Sequence, residues 1–223
     1  MGLSTVVTLS LGLLAALPTT FAADSSPYYR LRAKVTGPKT DTTPDVDGWA
    51  IEVRRLGITT RYPPDYMWGV LYNETFSPGR GGDIFYTQPV DGTSYVRTDA
   101  PNNDGEVTPF GFHIGEGYDL VSTETIATRS ILSETPMDIG ADSDVPILEK
   151  PGFDATFVAC KEAYREWVVV YWTDLATYGT DPIYNQDWRT CTEIQLIPEC
   201  STDGPQHDGL EDTACVTDIG PVL

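Results

Sequence analysis

Short runs in which apolar residues alternate with polar ones, closed off by Gly or Pro, recur along most of this chain. A period of two is the signature of strands with one buried face, and frequent turn residues keep those strands short. Such runs, rich in β-branched and aromatic residues, lie at Tyr29–Val35, Trp49–Leu56, Trp68–Tyr72, Asp83–Tyr86, Ser94–Arg97 and Phe110–Ile114. Others follow at Asp119–Glu124, Ser130–Ser133, Ala155–Cys160, Trp167–Thr173 and Thr192–Ile197. Between them stand Asp47-Gly48, Pro78-Gly79, Gly81-Gly82, Asp91-Gly92, Asp104-Gly105 and Pro151-Gly152, all turn formers. The strongest run is Glu166–Trp172, whose unbroken apolar stretch predicts a central strand buried on both sides. No amphipathic helix is legible, and Lys161–Arg165 is expected to make one short turn after Cys160. The expected fold is all-β, an antiparallel β-sandwich or barrel. A β-trefoil is the alternative, though no threefold repeat is visible.

The first 22 residues carry no Lys or Arg and contain an apolar stretch from Leu9 to Leu17, then Pro18 and the small residue Ala22. An apolar core of about 7–15 residues with a small-residue exit is a secretory signal; a membrane helix needs about 20. The expected organisation is a signal peptide over 1–22, one β-rich domain over 23–200, and an acidic C-terminal tail over 201–223. No membrane span is expected, and Asp-Ile-Gly-Pro-Val-Leu at the C-terminus lacks the hydrophobic tail of a lipid-anchor signal. Export leads to an oxidising compartment, where the four cysteines, Cys160, Cys191, Cys200 and Cys215, allow three pairings into two bridges. The sequential pairing is the one expected. It would join a strand to a later neighbour and tie down a Gly- and Pro-containing tail.

Charge is divided unevenly. Residues 24–97 hold nine acidic and nine basic side chains, whereas residues 98–223 hold twenty-four acidic and five basic, so the net charge of −19 lies in the second part. A field of that sign repels phosphate backbones and argues against a nucleic-acid partner. Asp45-Val46-Asp47-Gly48 and Asn102-Asn103-Asp104-Gly105 look like calcium loops, but neither fits an EF-hand. With Gly48 at the sixth position Arg54 falls at the twelfth, and with Gly105 there Ala100 falls at the first. Both are read as turns whose side chains bond nearby backbone. A zinc site is not supported, because there is no Cys-x-x-Cys and the histidines are His113 and His207 alone. No metal and no cofactor is expected.

Catalytic constellations fare no better. There is no Gly-x-Ser-x-Gly elbow, no paired Asp-Thr-Gly, and Ala23 rather than His at the expected mature N-terminus, so serine-hydrolase, aspartic-protease and copper-monooxygenase readings fail. His113, between Phe112 and Ile114, reads as an outward strand residue. A glycosidase built from two carboxylates about 5–9 Å apart stays open, since thirty-three acids are available to supply such a pair. Trp188, Trp49, Trp68 and the pair Tyr62 and Tyr66 are the candidate glycan-stacking residues, against the alternative that they fill a core. Trp188, in the polar stretch Asn185–Arg189, is the best of them. Asn73-Glu74-Thr75 is the one N-glycosylation sequon, expected at the surface.

The string Phe157-Val158-Ala159-Cys160, an aromatic strand ending at Tyr171-Trp172, and Cys191-Thr192-Glu193-Ile194-Gln195-Leu196 together resemble a C-terminal signature of small secreted proteins of filamentous ascomycete fungi. That group looks similar to the cell-wall protein PhiA. The resemblance covers about residues 153–200 and implies a β-rich, secreted or wall-associated protein without an established catalytic site. It also favours pairing Cys160 with Cys191. The expected function is thus a fungal extracellular or cell-wall protein with a structural or interaction role. Its expected partner is a wall polysaccharide or another extracellular protein. A carbohydrate-active protein, binding or hydrolysing a glycan, is the alternative.

Overall fold

The structure is a computed structural model that describes residues 23–54, 66–74, 81–101, 105–114, 122–128, 135–140, 145–152, 155–161, 168–174 and 188–223. Regular structure among the described residues is almost entirely strand. In chain order the strands are β1 (Asp24–Ser26), β2 (Tyr28–Val35), β3 (Ala50–Arg54), β4 (Tyr66–Tyr72), β5 (Phe85–Val90), β6 (Thr93–Pro101) and β7 (Val107–Ile114). After them come β8 (Ser122–Thr128), β9 (Asp138–Gly140), β10 (Ile147–Glu149), β11 (Ala155–Lys161), β12 (Val168–Asp174), β13 (Cys191–Ser201) and β14 (Thr213–Cys215). Single 3-10 turns occur at Trp188–Thr190 and Gly220–Val222.

Six strands close on themselves in the order β2–β3–β4–β12–β11–β13 and back to β2, every pairing antiparallel. The fold is therefore a closed antiparallel barrel, the second of the two forms expected, and its ring order carries no threefold repetition of the trefoil kind. Closure follows from the alternation in the sequence. Tyr29, Leu31 and Ala33 of β2 point inward, as do Ile51, Leu71, Phe157, Ala159, Val168, Val170, Trp172, Ile194 and Leu196 from the other five strands. All belong to one buried apolar cluster. A single cluster fed by alternate residues of six strands is a barrel interior. Removing these side chains from water, at about 25 cal/mol per Å2 of apolar surface, is the main force holding the ring shut.

The remaining large strands widen this frame. β5 joins β2 at Tyr29↔Phe85, β6 and β7 follow as a meander, and β8 returns to pair with both β4 and β12. β12 thus has one edge shared between two partners, Val168 and Val169 on β4 and Tyr171–Thr173 on β8. Every residue from Val168 to Thr173 is buried. Val168, Val170 and Trp172 face the main cluster while Val169 and Tyr171 join a second one with Val70, Val158, Cys160 and Cys191. This is the doubly buried central strand that its apolar run predicted.

Local turn chemistry is equally readable. At Asp91-Gly92 both residues have positive φ, 52° and 79°, between the paired Val90 and Thr93. Mirror-image turns of this kind match strand twist and favour Asp-Gly. Four short strands, β1, β9, β10 and β14, were not foreseen, and the Asp83–Tyr86 run instead pairs from Phe85 through Val90. Lys161 ends β11 rather than starting a turn. The expected signal segment, the Ser130–Ser133 run and residues 162–165 lie outside the described residues.

The C-terminal segment is built into the fold by more than its disulfide. β14 pairs with β1, the Glu211 amide donates to the Thr87 carbonyl at 3.0 Å, and Val216 exchanges bonds of 2.8 and 2.9 Å with Cys200 and Pro198. Val216 and Val222 close a small apolar cluster over Ile197. The Tyr28 ring lies against Gly204, and its hydroxyl donates to the Pro205 carbonyl at 2.7 Å. A Cβ at residue 204 would overlap that ring. Gly204→Ala is accordingly expected to displace Tyr28 and lower stability by about 1–3 kcal/mol; an unchanged urea midpoint would disprove this packing.

Candidate functional site

The alternation that turns Tyr29, Leu31 and Ala33 into the barrel sends Arg30 and Arg32 to its outer face. There they meet carboxylates from distant parts of the chain. Arg32 Nε donates to Glu199 on β13 at 2.7 Å and its Nη1 to Glu74, just past β4, at 2.9 Å. Arg30 takes the other oxygen of Glu74 at 2.9 Å and lies 3.7 Å from Asp83, which accepts from the Tyr72 hydroxyl at 2.9 Å. On the next strand Glu52, only 1% exposed, is ion-paired with Arg54 at 2.8 Å. Burial works against the Arg32 charge, but the two glutamates more than compensate and hold its pKa above the ordinary value. Glu74 therefore bridges two guanidinium groups. The two glutamates thereby tie β2, β13 and the end of β4 together.

A second polar cluster lies between β6 and the C-terminal segment. His207 Nε2 is 3.1 Å from each oxygen of Asp99, the Tyr86 hydroxyl donates to the same Asp99 at 2.9 Å, and the His207 ring lies 4.6 Å from that of Tyr86. Sequence gave no reason to join Asp99 to His207, 108 positions apart. His113 is half-buried in β7, between the buried Phe112 and Ile114. Beneath the segment, Tyr29 shares a buried hydrogen bond of 2.9 Å with Thr87, which accepts one from Thr213.

Two tyrosines carry raised pKa values, Tyr29 through burial and Tyr72 through burial and then the charge of Asp83. Above about pH 10, the ordinary tyrosine value, the unfolded chain loses these protons while the folded chain keeps them. The native state then binds more protons, so stability falls as pH rises. Alkaline titration is expected to show part of the tyrosinate absorbance appearing only as the fold melts; full ionisation with the fold intact would contradict it.

Of the candidate aromatic residues, Trp49 and Trp68 pack on different clusters. Trp49, half-buried, packs on the main cluster, while Trp68, also half-buried, packs on the second cluster across the sheet, so these two do not share a groove. The backbone of Trp188 opens the 3-10 turn leading into Cys191, and its side chain is outside the described set. Asn73 is half-buried directly after β4, followed by the clamped Glu74, and Thr75 is not among the described residues. Asp47 receives the Val35 amide at 2.7 Å and Lys39 spans Asp45 and Asp47 at 3.2 and 2.7 Å, which is turn chemistry. The disulfides are Cys160–Cys191, joining paired residues of β11 and β13, and Cys200–Cys215, with Cα separations of 4.0 and 5.1 Å.

Fold and side chains thus define a class: an antiparallel β-barrel protein carrying two disulfides and an ion-paired outer face. No family model matches the chain, and no solved structure does. It is similar to antigenic protein SchS34 of the fungus Stachybotrys chartarum, with 25% identity over 219 residues that cover 91% of each chain.

Proposed function

We propose that this is a secreted fungal protein, associated with the cell wall or released around the colony, with a structural or interaction role. The export signal is assigned to residues 1–22 and the mature start to Ala23. The observation that carries this reading is the pair of disulfides stapling the barrel, a device of oxidising compartments. The likeness to a fungal antigenic protein along nearly the whole chain supports it from a second side. Glu74 and Glu199 join β2, β13 and the end of β4 through ion pairs with Arg30 and Arg32, which favours a scaffold role for that face. The PhiA-like segment around Cys160 and Cys191 favours the wall.

The test is expression with the complete leader in a filamentous fungus, followed by analysis of culture fluid and detergent-extracted walls. Expected are an N-terminus at Ala23, no titratable thiol, and a mass decrease on enzymatic N-glycan removal that disappears in Asn73→Gln. An intact Met1 or free thiols in the extracellular material would overthrow the reading.

A further inference from the structure

Between β2 and β3 the chain makes a loop, residues 36–49, that is tied down at both feet. The Thr36 and Gly37 amides donate to the Glu193 carbonyl at 3.0 and 3.2 Å, and the Gly48 amide donates to the Ala33 carbonyl at 2.8 Å. Val46 is fully buried in the main cluster, so the returning limb is anchored as well. Between those anchors Thr36, Pro38, Lys39, Thr40, Asp41 and Thr42 are all exposed. We propose that Thr36 and Thr40 are O-glycosylation sites, each carrying a short chain of neutral hexose on its hydroxyl oxygen. Threonines set close together with proline are the composition of O-glycosylated segments, and Pro38 stands two positions from both Thr36 and Thr40. Residues 38–40 carry no regular structure. Proline holds φ extended and gives no amide to a ladder, which leaves this backbone open to the cleft of a transferase.

The threonines of the loop are not equivalent. Thr43 Oγ1 accepts from the Thr40 amide at 2.9 Å and donates to the Thr40 carbonyl at 3.0 Å, so its hydroxyl holds the turn. Thr42 Oγ1 donates to the Arg189 carbonyl at 2.6 Å. A hydroxyl has one proton to give, so in the 3.1 Å contact between Thr40 and Thr42 the donor is Thr40. A sugar on Thr40 removes only that exposed bond, which water replaces at little net cost. The Thr36 hydroxyl makes no hydrogen bond among the described residues. Elsewhere Thr87, Thr98, Thr173, Thr192 and Thr213 are buried in strands, and the exposed Thr202 and Thr217 have no proline within two positions. In the transfer, the threonine oxygen attacks the anomeric carbon of an activated sugar, a glycosyl phosphate ester. The bond from that carbon to the phosphate oxygen breaks, the phosphate leaves with the electron pair, and the hydroxyl proton passes to a base of the transferase.

The inference rests on the extracellular reading, because the chain would meet such a transferase on its way out of the cell. The chain with its complete leader is made in a filamentous fungus and freed of N-glycans enzymatically. Peptides covering Val35–Arg54 are then sequenced by mass spectrometry, under fragmentation that leaves O-linked sugars attached. Hexose is expected on Thr36 and Thr40 and on neither Thr42 nor Thr43. The double variant Thr36→Ala, Thr40→Ala is expected to lose all of that added mass and to keep its melting temperature, since both side chains face solvent. Should the double variant fail to fold, fragmentation of the unsubstituted peptide, site by site, still decides. Bare threonines in a chain that starts at Ala23 overturn the modification and leave the export reading standing. Hexose on Thr42 or Thr43 overturns the assignment made from their hydrogen bonds. An intact Met1 in the extracellular protein sinks the export reading, and the modification with it.

Discussion

Phe157→Ala is expected to be among the most damaging single substitutions in this protein, lowering stability by about 3–5 kcal/mol. The side chain is 3% exposed, stands in the middle of the row Trp172–Phe157–Ile194, and supports the indole edge-on. Truncation removes the ring's transfer free energy and leaves a hole that paired strands on both sides cannot collapse to fill. For a domain of this size that corresponds to a fall in melting temperature of roughly 10–15 °C. Urea unfolding monitored by tryptophan fluorescence is the direct measurement. A loss below about 1 kcal/mol would mean that the barrel interior is not packed as described.

The second large effect is covalent. Cys160→Ala combined with Cys191→Ala opens a bridge spanning 31 positions, and the chain-entropy model gives about 3–4 kcal/mol for such a loop. Cys200→Ala with Cys215→Ala opens one spanning 15, worth about 3 kcal/mol in the same model. Both pairs are expected to lower the unfolding midpoint clearly, with the first slightly the larger because loop entropy grows only logarithmically. The second should also leave the C-terminal segment in place, since β14 still pairs with β1 and Val216 still bonds Pro198 and Cys200. Hydrogen exchange through Thr213–Val216 tests that; unprotected amides there in the variant would show that the bridge alone holds the segment.

How much of this was legible in the chain depends on range. The alternation of Tyr29-Arg30-Leu31-Arg32-Ala33 reads directly as a strand with one buried face, because the pleat imposes a period of two wherever one side meets a core. The run at Val168–Trp172 reads as buried on both sides for the same reason. Asp91-Gly92 reads as a tight hairpin because few residue pairs accept two positive φ angles. β1, β9, β10 and β14 do not read at all. Three residues cannot show a period, and each strand exists only because a partner is present.

The candidate sites escaped the sequence for a related reason. Arg32 finds Glu74 at 42 positions and Glu199 at 167, and nothing local marks those glutamates among the thirty-three acids. Among the tryptophans Trp188 stands out by its polar flanking residues, whereas Trp172, which lines a cavity beside β10, reads as part of the strongest strand. Strand register, not composition, put Phe157 and Ile194 beside it.

Residue order alone therefore determined the strand-forming character of the chain, its turn positions and the buried parity of its main strands, because backbone sterics and hydrophobic alternation act between near neighbours. Only the tertiary structure decided that six strands close into a ring, that Glu74 clamps two arginines, and that β10 meets β13 around a cavity. Those contacts join residues far apart in the chain, and their free energy appears only once closure of the barrel has already brought them together.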